Sequence, residues 1–287
     1  MEKRIKIAIQ KSGRLSEKSL KLLNEAGLKF SNNGKSRLKA QVKNFPADIL
    51  YLRDDDIPQY VEDHVADIGI IGENVFIEKQ KEVEVIRKLG FASCRLSMAV
   101  PKEVDYPNTQ WLAGKKIATS YPVIVEQFLK ERGIKAEIHE ISGSVEIAPS
   151  IGLADAVCDI VSTGSTLMSN GLKEVEEVIQ SEAVMIGGKA LADWKKEIID
   201  KLVFRIKSVQ KAKNTKYILL NAPNESIETI KNVIPGMKSP TVMPLADEGW
   251  SSVHSVVPED QFWEVIDQLK DAGAQGILVV PIEKMIL

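Results

Sequence analysis

Cysteine is nearly absent from this chain: Cys94 and Cys158 are the only two. Both sit in strand-like apolar runs and form no spacing motif, so a disulfide framework is not implied and both read as small, reduced core residues. Histidine is just as sparse. His64, His139 and His254 are scattered without ligand spacing, which argues against a zinc site built by the protein. An excess of one charge is missing too, because 38 basic residues meet 40 acidic ones for a net charge of −2. With no basic stripe interleaved with aromatics, nucleic-acid binding is not expected. No apolar run reaches the roughly 18 residues needed to cross a bilayer, so no membrane contact is expected. The start, Met1-Glu2-Lys3-Arg4, leads straight into Ile5–Ile9 without an apolar export segment, and the expectation is a cytoplasmic protein. A Gly-x-Ser-x-Gly elbow and a P-loop lysine are also lacking. Without a candidate nucleophile, a displacement driven by positioning and charge is the better expectation.

What is present is a well-packed composition, 44% apolar and 27% charged over 287 residues, with room for two or three domains. The most informative stretch runs from Ala156 to Leu167. It reads as a buried strand, a tight Thr163-Gly164-Ser165-Thr166 turn, and the start of a helix. Such a turn points backbone N–H groups, two hydroxyls and the positive end of a helix dipole at one small volume, which suits a phosphate. Asp159 adds a carboxylate placed for sugar hydroxyls, so a phosphorylated sugar is one reading and an ordinary strand-to-helix turn is the other. A related pattern occurs earlier. Asp63 to Gly72 and Asp155 to Gly164 share Asp, Val, Asp, Ile and Gly at identical offsets, 92 residues apart. Two similar α/β lobes across a cleft follow from this, unless two apolar strands match by coincidence.

Along the chain, strand and helix signals alternate: Ile5–Ile9, a helix over Ser16–Ala26, Asp48–Leu52, a short helix from Asp54, and Asp67–Ile71. A second α/β run follows from Cys94–Val100 through Lys115–Ala118, a helix over Val123–Arg132, Ala136–His139, a short helix at Ser144–Ala148, and Val157–Val161. Two strand-like runs around 174–187 are of the kind that return a chain to its first lobe. Ala190–Val209 reads as a long amphipathic helix. Beyond it come strand 216–221, helix 226–233, strands 241–245 and 250–257, helix 260–271 and strand 276–281, the βαββαβ order of a ferredoxin-like unit. The expected division is 1–98 with 183–211 as one lobe, 99–182 as the second, and 212–287 as a terminal domain.

Several residues lie where open α/β sheets place ligands. Lys11-Ser12-Gly13-Arg14 follows the first strand, and a glycine between two cations suits a polyphosphate as well as it suits a solvated loop. Arg53 ends another strand, beside Lys11 on the same sheet edge. Asp54, Asp55 and Asp56 after it bind a metal, cap the next helix or lie exposed. Glu146, on the short helix before the second-lobe strand, makes sense with Asp159 if both acids hold ribose hydroxyls. Arg95 is a core-edge cation or a cleft residue. Tyr121-Pro122 stacks a flat base or simply starts a helix.

Taken together, Glu146, Gly152, Ala154, Val157, Asp159-Ile160, Thr163-Gly164 and Thr166-Leu167 match the ATP phosphoribosyltransferase signature at every fixed position. The resemblance extends through Gln10–Leu15, Arg53–Pro58, Gly69–Asn74, Cys94–Ser97 and Ala118–Pro122. The terminal unit, with Ser239–Leu245 and Pro281–Lys284, resembles that of the long, self-regulated form. The resemblance implies a two-lobed core like type II periplasmic binding proteins plus an ACT-like regulatory domain. The implied reaction joins ATP to phosphoribosyl pyrophosphate, with magnesium carried on the substrate phosphates, as the first step of histidine biosynthesis. It further implies that Thr163, Gly164, Ser165, Thr166 and Leu167 hold the 5-phosphate while Glu146 and Asp159 hold the ribose. Lys11, Arg14 and Arg53 would neutralise pyrophosphate or the ATP phosphates, with Glu73, Arg95 and Tyr121 beside them. Histidine would act as feedback inhibitor, near Asn221, Thr241, Leu245 and Ser255, in a homo-oligomer that passes from dimer to hexamer. A solute-binding protein and a purine-salvage phosphoribosyltransferase are the competing readings. The second is disfavoured because Asp159 lacks an adjacent acidic partner.

Overall fold

A computed structural model describes residues 3–30 and 38–286; Met1, Glu2, 31–37 and Leu287 lie outside the described residues. The first lobe is built from β1 (Ile5–Gln10), α1 (Arg14–Glu25), β2 (Lys39–Gln41), β3 (Ala47–Leu52), α2 (Ile57–Glu62), β4 (Ile68–Gly72), α3 (Glu73–Lys79) and β5 (Val83–Lys88). The chain then crosses to a second lobe of β6 (Cys94–Pro101), β7 (Lys116–Thr119), α4 (Pro122–Glu131), β8 (Glu137–Glu140), β9 (Ala156–Val161), α5 (Ser165–Ser169) and β10 (Leu172–Ser181). It returns through β11 (Ala183–Gly188), which inserts between β4 and β5 of the first sheet.

The two sheets repeat one plan. In the first the order is β2-β3-β1-β4-β11-β5, and in the second β10-β6-β9-β7-β8. Each has a central strand with parallel neighbours on both sides, β1 between β3 and β4 and β7 between β8 and β9. Each then adds an antiparallel strand that arrives from the other lobe, β11 against β4 and β6 against β9. The near-continuous apolar runs of β1 and β4 are explained by burial on both faces: Ile7, Ile9, Ile68 and Ile70 are fully enclosed. In the second lobe, Leu96, Met98, Ile117 and Cys158 pack against α4, while Ala99, Ala118, Val157 and Val161 pack with Val145, Ala148 and Leu167 on the opposite face.

The expected internal repeat is present, but in a different register. Asp67 and Asp155 are the equivalent acids. Each stands just before its strand and accepts from an amide of the adjacent central strand, Lys6 N–H to Asp67 at 2.7 Å and Lys116 N–H to Asp155 at 2.9 Å. Asp159, aligned with Asp67 by the sequence pattern, instead lies near the far end of β9. Gly72 and Gly164 do both precede a helix. The second lobe therefore takes four more residues to get from its acid to its glycine, and those residues form the Thr-Gly turn.

Two compact units divide the chain, 1–21 with 28–199 and 22–27 with 200–287. Helix α6 (Asp193–Lys213) belongs to both. The second unit continues with β12 (Thr215–Pro223), α7 (Ile227–Val233), β13 (Thr241–Pro244), β14 (Trp250–Pro258), α8 (Phe262–Asp271) and β15 (Gln275–Pro281). Its strand order, β13-β14-β12-β15, is that of the ferredoxin-like βαββαβ unit. Ile218, Leu220, Ala222, Val253 and Val257 face the two helices and pack with Ile230 and Leu269. The fold class is thus a two-lobed α/β core followed by a βαββαβ domain.

Candidate functional site

Of the strand-to-helix turns at the sheet edges of the first unit, four lead directly into an α-helix, and they fall into two kinds. After β1 and after β9 a glycine in the left-handed region stands directly before the helix, Gly13 with φ 95° and Gly164 with φ 78°. Glycine adopts that conformation without the Cβ clash that other residues meet. The first amide to find a helical acceptor is Glu17 N–H on Gly13 C=O in one case and Met168 N–H on Gly164 C=O in the other. The amides of Arg14, Leu15 and Ser16, and of Ser165, Thr166 and Leu167, meet no acceptor among the described residues. Three convergent N–H groups at a helix start favour an anion.

The other two turns are filled by protein. At the start of α3, Glu73 N–H donates to Glu182 C=O at 2.9 Å and Asn74 N–H to Ser181 Oγ at 3.1 Å. At the start of α4, Val123 and Ile124 donate to the Glu78 carboxylate at 3.0 and 3.1 Å. The residues before these helices, Gly72 with φ −73° and Tyr121 with φ −129°, lack the left-handed bend. Each lobe therefore offers one open turn.

Cations gather at the first open turn. Gln10 lies opposite Leu52 in the parallel β1–β3 pair, and Lys11 N–H donates to Leu52 C=O at 2.8 Å. Lys11 and Arg53 thus extend from adjacent strand ends, with Arg14 beginning α1, and all three are exposed. At the second open turn Thr163 and Ser165 share a hydroxyl hydrogen bond of 3.0 Å. Asp159 lies two residues before the end of β9, opposite Ser97. Burial pushes its carboxyl above the ordinary value, and the charge of Glu146 adds to the shift. The two acids therefore share one neighbourhood beside the turn.

Between the lobes stands Tyr121. Burial, then the charge of Asp159, drives its hydroxyl well above the usual phenol range; Asp55 and Asp54 act in the same direction, while a hydrogen bond with the Asn74 side chain opposes them. The ends of β3 and β4 thus approach the ends of β7 and β9. Asp54 does not cap a helix as a flanking residue; it is the first residue of a single turn whose flanking residue is Arg53. Burial, then Asp55, raises its carboxyl.

Two expected contributors already have partners. Glu73 pairs with Lys88 at 3.0 Å. Arg95 makes a two-pronged bond with Glu174, Nη2 to Oε2 being 2.6 Å. In the terminal domain Asn221 and Thr241 share the sheet face not covered by α7 and α8, opposite Ser252 and His254. Ser255 does not join them: it points the other way, buried, and donates to Ile234 C=O at 3.0 Å. Leu245 sits at the turn between β13 and β14, its N–H on Trp250 C=O. Asn74, Glu78, Ser181 and Glu174 were not singled out by sequence, because each acquires its role from a partner far along the chain. No three His, Cys, Asp or Glu side chains cluster as a metal site among the described residues.

Two α/β lobes, each with a turn of unpartnered helix-start amides and one with acids beside it, make up the kind of site that suits phosphorylated, sugar-bearing ligands. The family described as "HisG: ATP phosphoribosyltransferase" matches residues 53–208, and "HisG, C-terminal domain" matches 212–284. The ATP phosphoribosyltransferase of Bacteroides thetaiotaomicron is 57% identical over 283 residues, spanning 99% of this chain and 100% of that one. That of Cytophaga hutchinsonii is 58% identical over 282 residues, 98% of each chain. Among solved structures, the "ATP phosphoribosyl transferase (HisG:HisZ) complex from Thermotoga maritima" aligns with a TM-score of 0.60 at 29% identity, over 71% of this chain and 98% of that one. The chain belongs to the ATP phosphoribosyltransferase family, in its long form with a C-terminal domain.

Proposed function

We propose that this chain joins ATP to phosphoribosyl pyrophosphate, the first step of histidine biosynthesis, and that the two open turns divide the substrates' phosphates between the lobes. The observation that carries this reading is the pairing of unpartnered helix-start amides with ligand-suited side chains: hydroxyls and two acids in one lobe, three cations in the other. The amides of Ser165, Thr166 and Leu167, with the Thr163 and Thr166 hydroxyls, hold the sugar's 5-phosphate, and Gly164 gives the turn its bend. Glu146 and Asp159 accept from the ribose hydroxyls. Lys11, Arg14 and Arg53, with the α1 amides, neutralise pyrophosphate or the ATP triphosphate. Glu73 and Arg95 act through their ion-pair partners rather than by direct contact, and Tyr121 closes the wall between the lobes.

Adenine N1 has a free lone pair, so it attacks the anomeric carbon without a general base while the C1–O bond to pyrophosphate breaks. Positive charge builds on the sugar ring in the transition state. In this reading the Asp159 and Glu146 carboxylates stabilise that charge, and the cations of the first lobe stabilise the departing pyrophosphate. Magnesium carried on the substrate phosphates, beside Lys11, Arg14 and Arg53, would make the leaving group less basic.

Histidine binding by the terminal domain is part of the same reading, supported by Asn221 and Thr241 on the uncovered sheet face. Homo-oligomer formation is supported by the outer strands of that sheet, where Val242, Met243, Leu278 and Val280 are exposed. No helix among the described residues is long and apolar enough to cross a membrane. The direct test mixes the protein with ATP, phosphoribosyl pyrophosphate and magnesium. N1 alkylation alters adenine absorbance, so a new ultraviolet band should grow with time. No change under any condition would leave a cleft-binding protein without transferase activity.

A further inference from the structure

Glu78 stands in the last turn of α3, where its charge opposes the negative end of its own helix dipole. The next residue but one, Gln80, ends that helix in the left-handed conformation with φ 46°. Both features run against local preference, and such departures call for compensation elsewhere in the structure. For Glu78 the compensation lies in the other lobe. Its two carboxylate oxygens accept separately from Val123 and Ile124, the second and third residues of the ten-residue helix α4. Pro122 before them has no N–H to offer, and Val125 N–H already bonds Tyr121 C=O. The whole start of α4 is thereby satisfied by one side chain from across the cleft.

Besides two covalent crossovers, residues 89–93 and Glu182, the lobes meet along α3, where Asn74 near its start bonds Ser181 of β10 and Ile77 packs on the second-lobe core. The crossover at Glu182 and the Asn74–Ser181 bonds lie together near the start of α3, and Glu78 lies near its other end. Its two bonds to α4 are the polar tie at that end, and they oppose a change in the angle between the lobes. They also hold Tyr121, the residue before α4, against Asn74 of α3. We infer that Glu78 is a positioning residue that sets the spacing between the open turn of the first lobe and the open turn of the second. It touches neither substrate. This rests on the proposed transferase reading, because the spacing matters only if both turns hold parts of one reacting pair.

The test compares wild type, Glu78→Gln and Glu78→Ala as full chains. The glutamine variant keeps the volume and one acceptor oxygen, which protects the fold. Turnover of the wild type is measured first; its absence would refute the transferase reading itself. Given turnover, kcat should fall about 10-fold or more in Glu78→Ala and by less in Glu78→Gln. The affinity for ribose 5-phosphate, measured calorimetrically, should stay within about threefold, since the turn and acids proposed to hold it, Thr163–Leu167, Glu146 and Asp159, all belong to the second lobe. Amide hydrogen exchange at Val123 and Ile124 should accelerate in both variants, a readout independent of activity. An unchanged kcat in Glu78→Ala overturns the proposal. So does a loss of sugar-phosphate affinity in step with kcat, which would mark a general structural role.

Discussion

Asp159 occupies a setting that disfavours its own charge: it is largely withdrawn from water and shares its surroundings with Glu146. Because this acid's folded-state pKa is raised, the unliganded protein loses stability as pH climbs from the ordinary carboxylate range through the folded value, and the loss is complete above it. Asp159→Asn removes that loss. The unliganded variant should melt higher than wild type near neutral pH, and the two should converge as pH falls below the carboxylate range. The same variant should use phosphoribosyl pyrophosphate about 10- to 150-fold less efficiently, from roughly 1.5–3 kcal/mol for a charge-assisted hydrogen bond. Melting curves across pH and steady-state kinetics check the two halves. Residues of this kind were legible because they lie in one short run: Asp159, Thr163, Gly164 and Ser165 fall within seven positions. Lys11, Gly13 and Arg14 were legible for the same reason. Asn74 and Glu78 were not, since nothing local in Gly72–Lys79 names a partner on β10 or α4.

At the level of elements, the long antiparallel β6–β10 pair carries the Arg95–Glu174 bond on its surface, and Ser97 Oγ adds a third bond to Glu174 at 2.8 Å. The Arg95 guanidinium holds the Glu174 carboxyl below its ordinary value, against a smaller opposing effect of burial. A depressed acid contributes stability that is fully present above its unfolded-state pKa and is lost as pH falls through the folded one. Glu174→Gln should therefore lower the melting temperature at neutral pH by the equivalent of about 1 kcal/mol or less, given that both partners are about a third exposed. That difference should shrink to nothing in acid, which parallel melts of the two proteins would show. The element pattern also marks where sequence reading stops. Strand β5 is hard to read because Val83–Lys88, at a sheet edge, neither alternates strictly nor runs apolar, with Glu84, Arg87 and Lys88 diluting the signal. The repeat was read four residues out of register because glycines before helices matched better than acids at strand starts.

For the molecule as a whole, the βαββαβ domain has a hydrophobic core of its own, from Ile218 to Ala274. Ending the chain near Lys211 should leave turnover measurable and abolish inhibition by histidine; inhibition that survives would place the regulatory site in the lobes. Two lobes and a ferredoxin-like unit were legible from alternating strand and helix signals, since each signal reports a buried face. The interleaving of the lobes was less so, because strand neighbours depend on contacts across the whole chain. Strand β11 is the case in point. It separates β4 from β5, and Lys88 waits for Val184 as its partner. During synthesis the second lobe, one uninterrupted segment, can be completed first, whereas the first lobe keeps an unfilled slot in its sheet until nearly a hundred further residues have left the ribosome. The earlier half of the cleft is thus the later to mature, and the nascent chain assembles its Thr-Gly turn before the rest of the cleft is ready to face it.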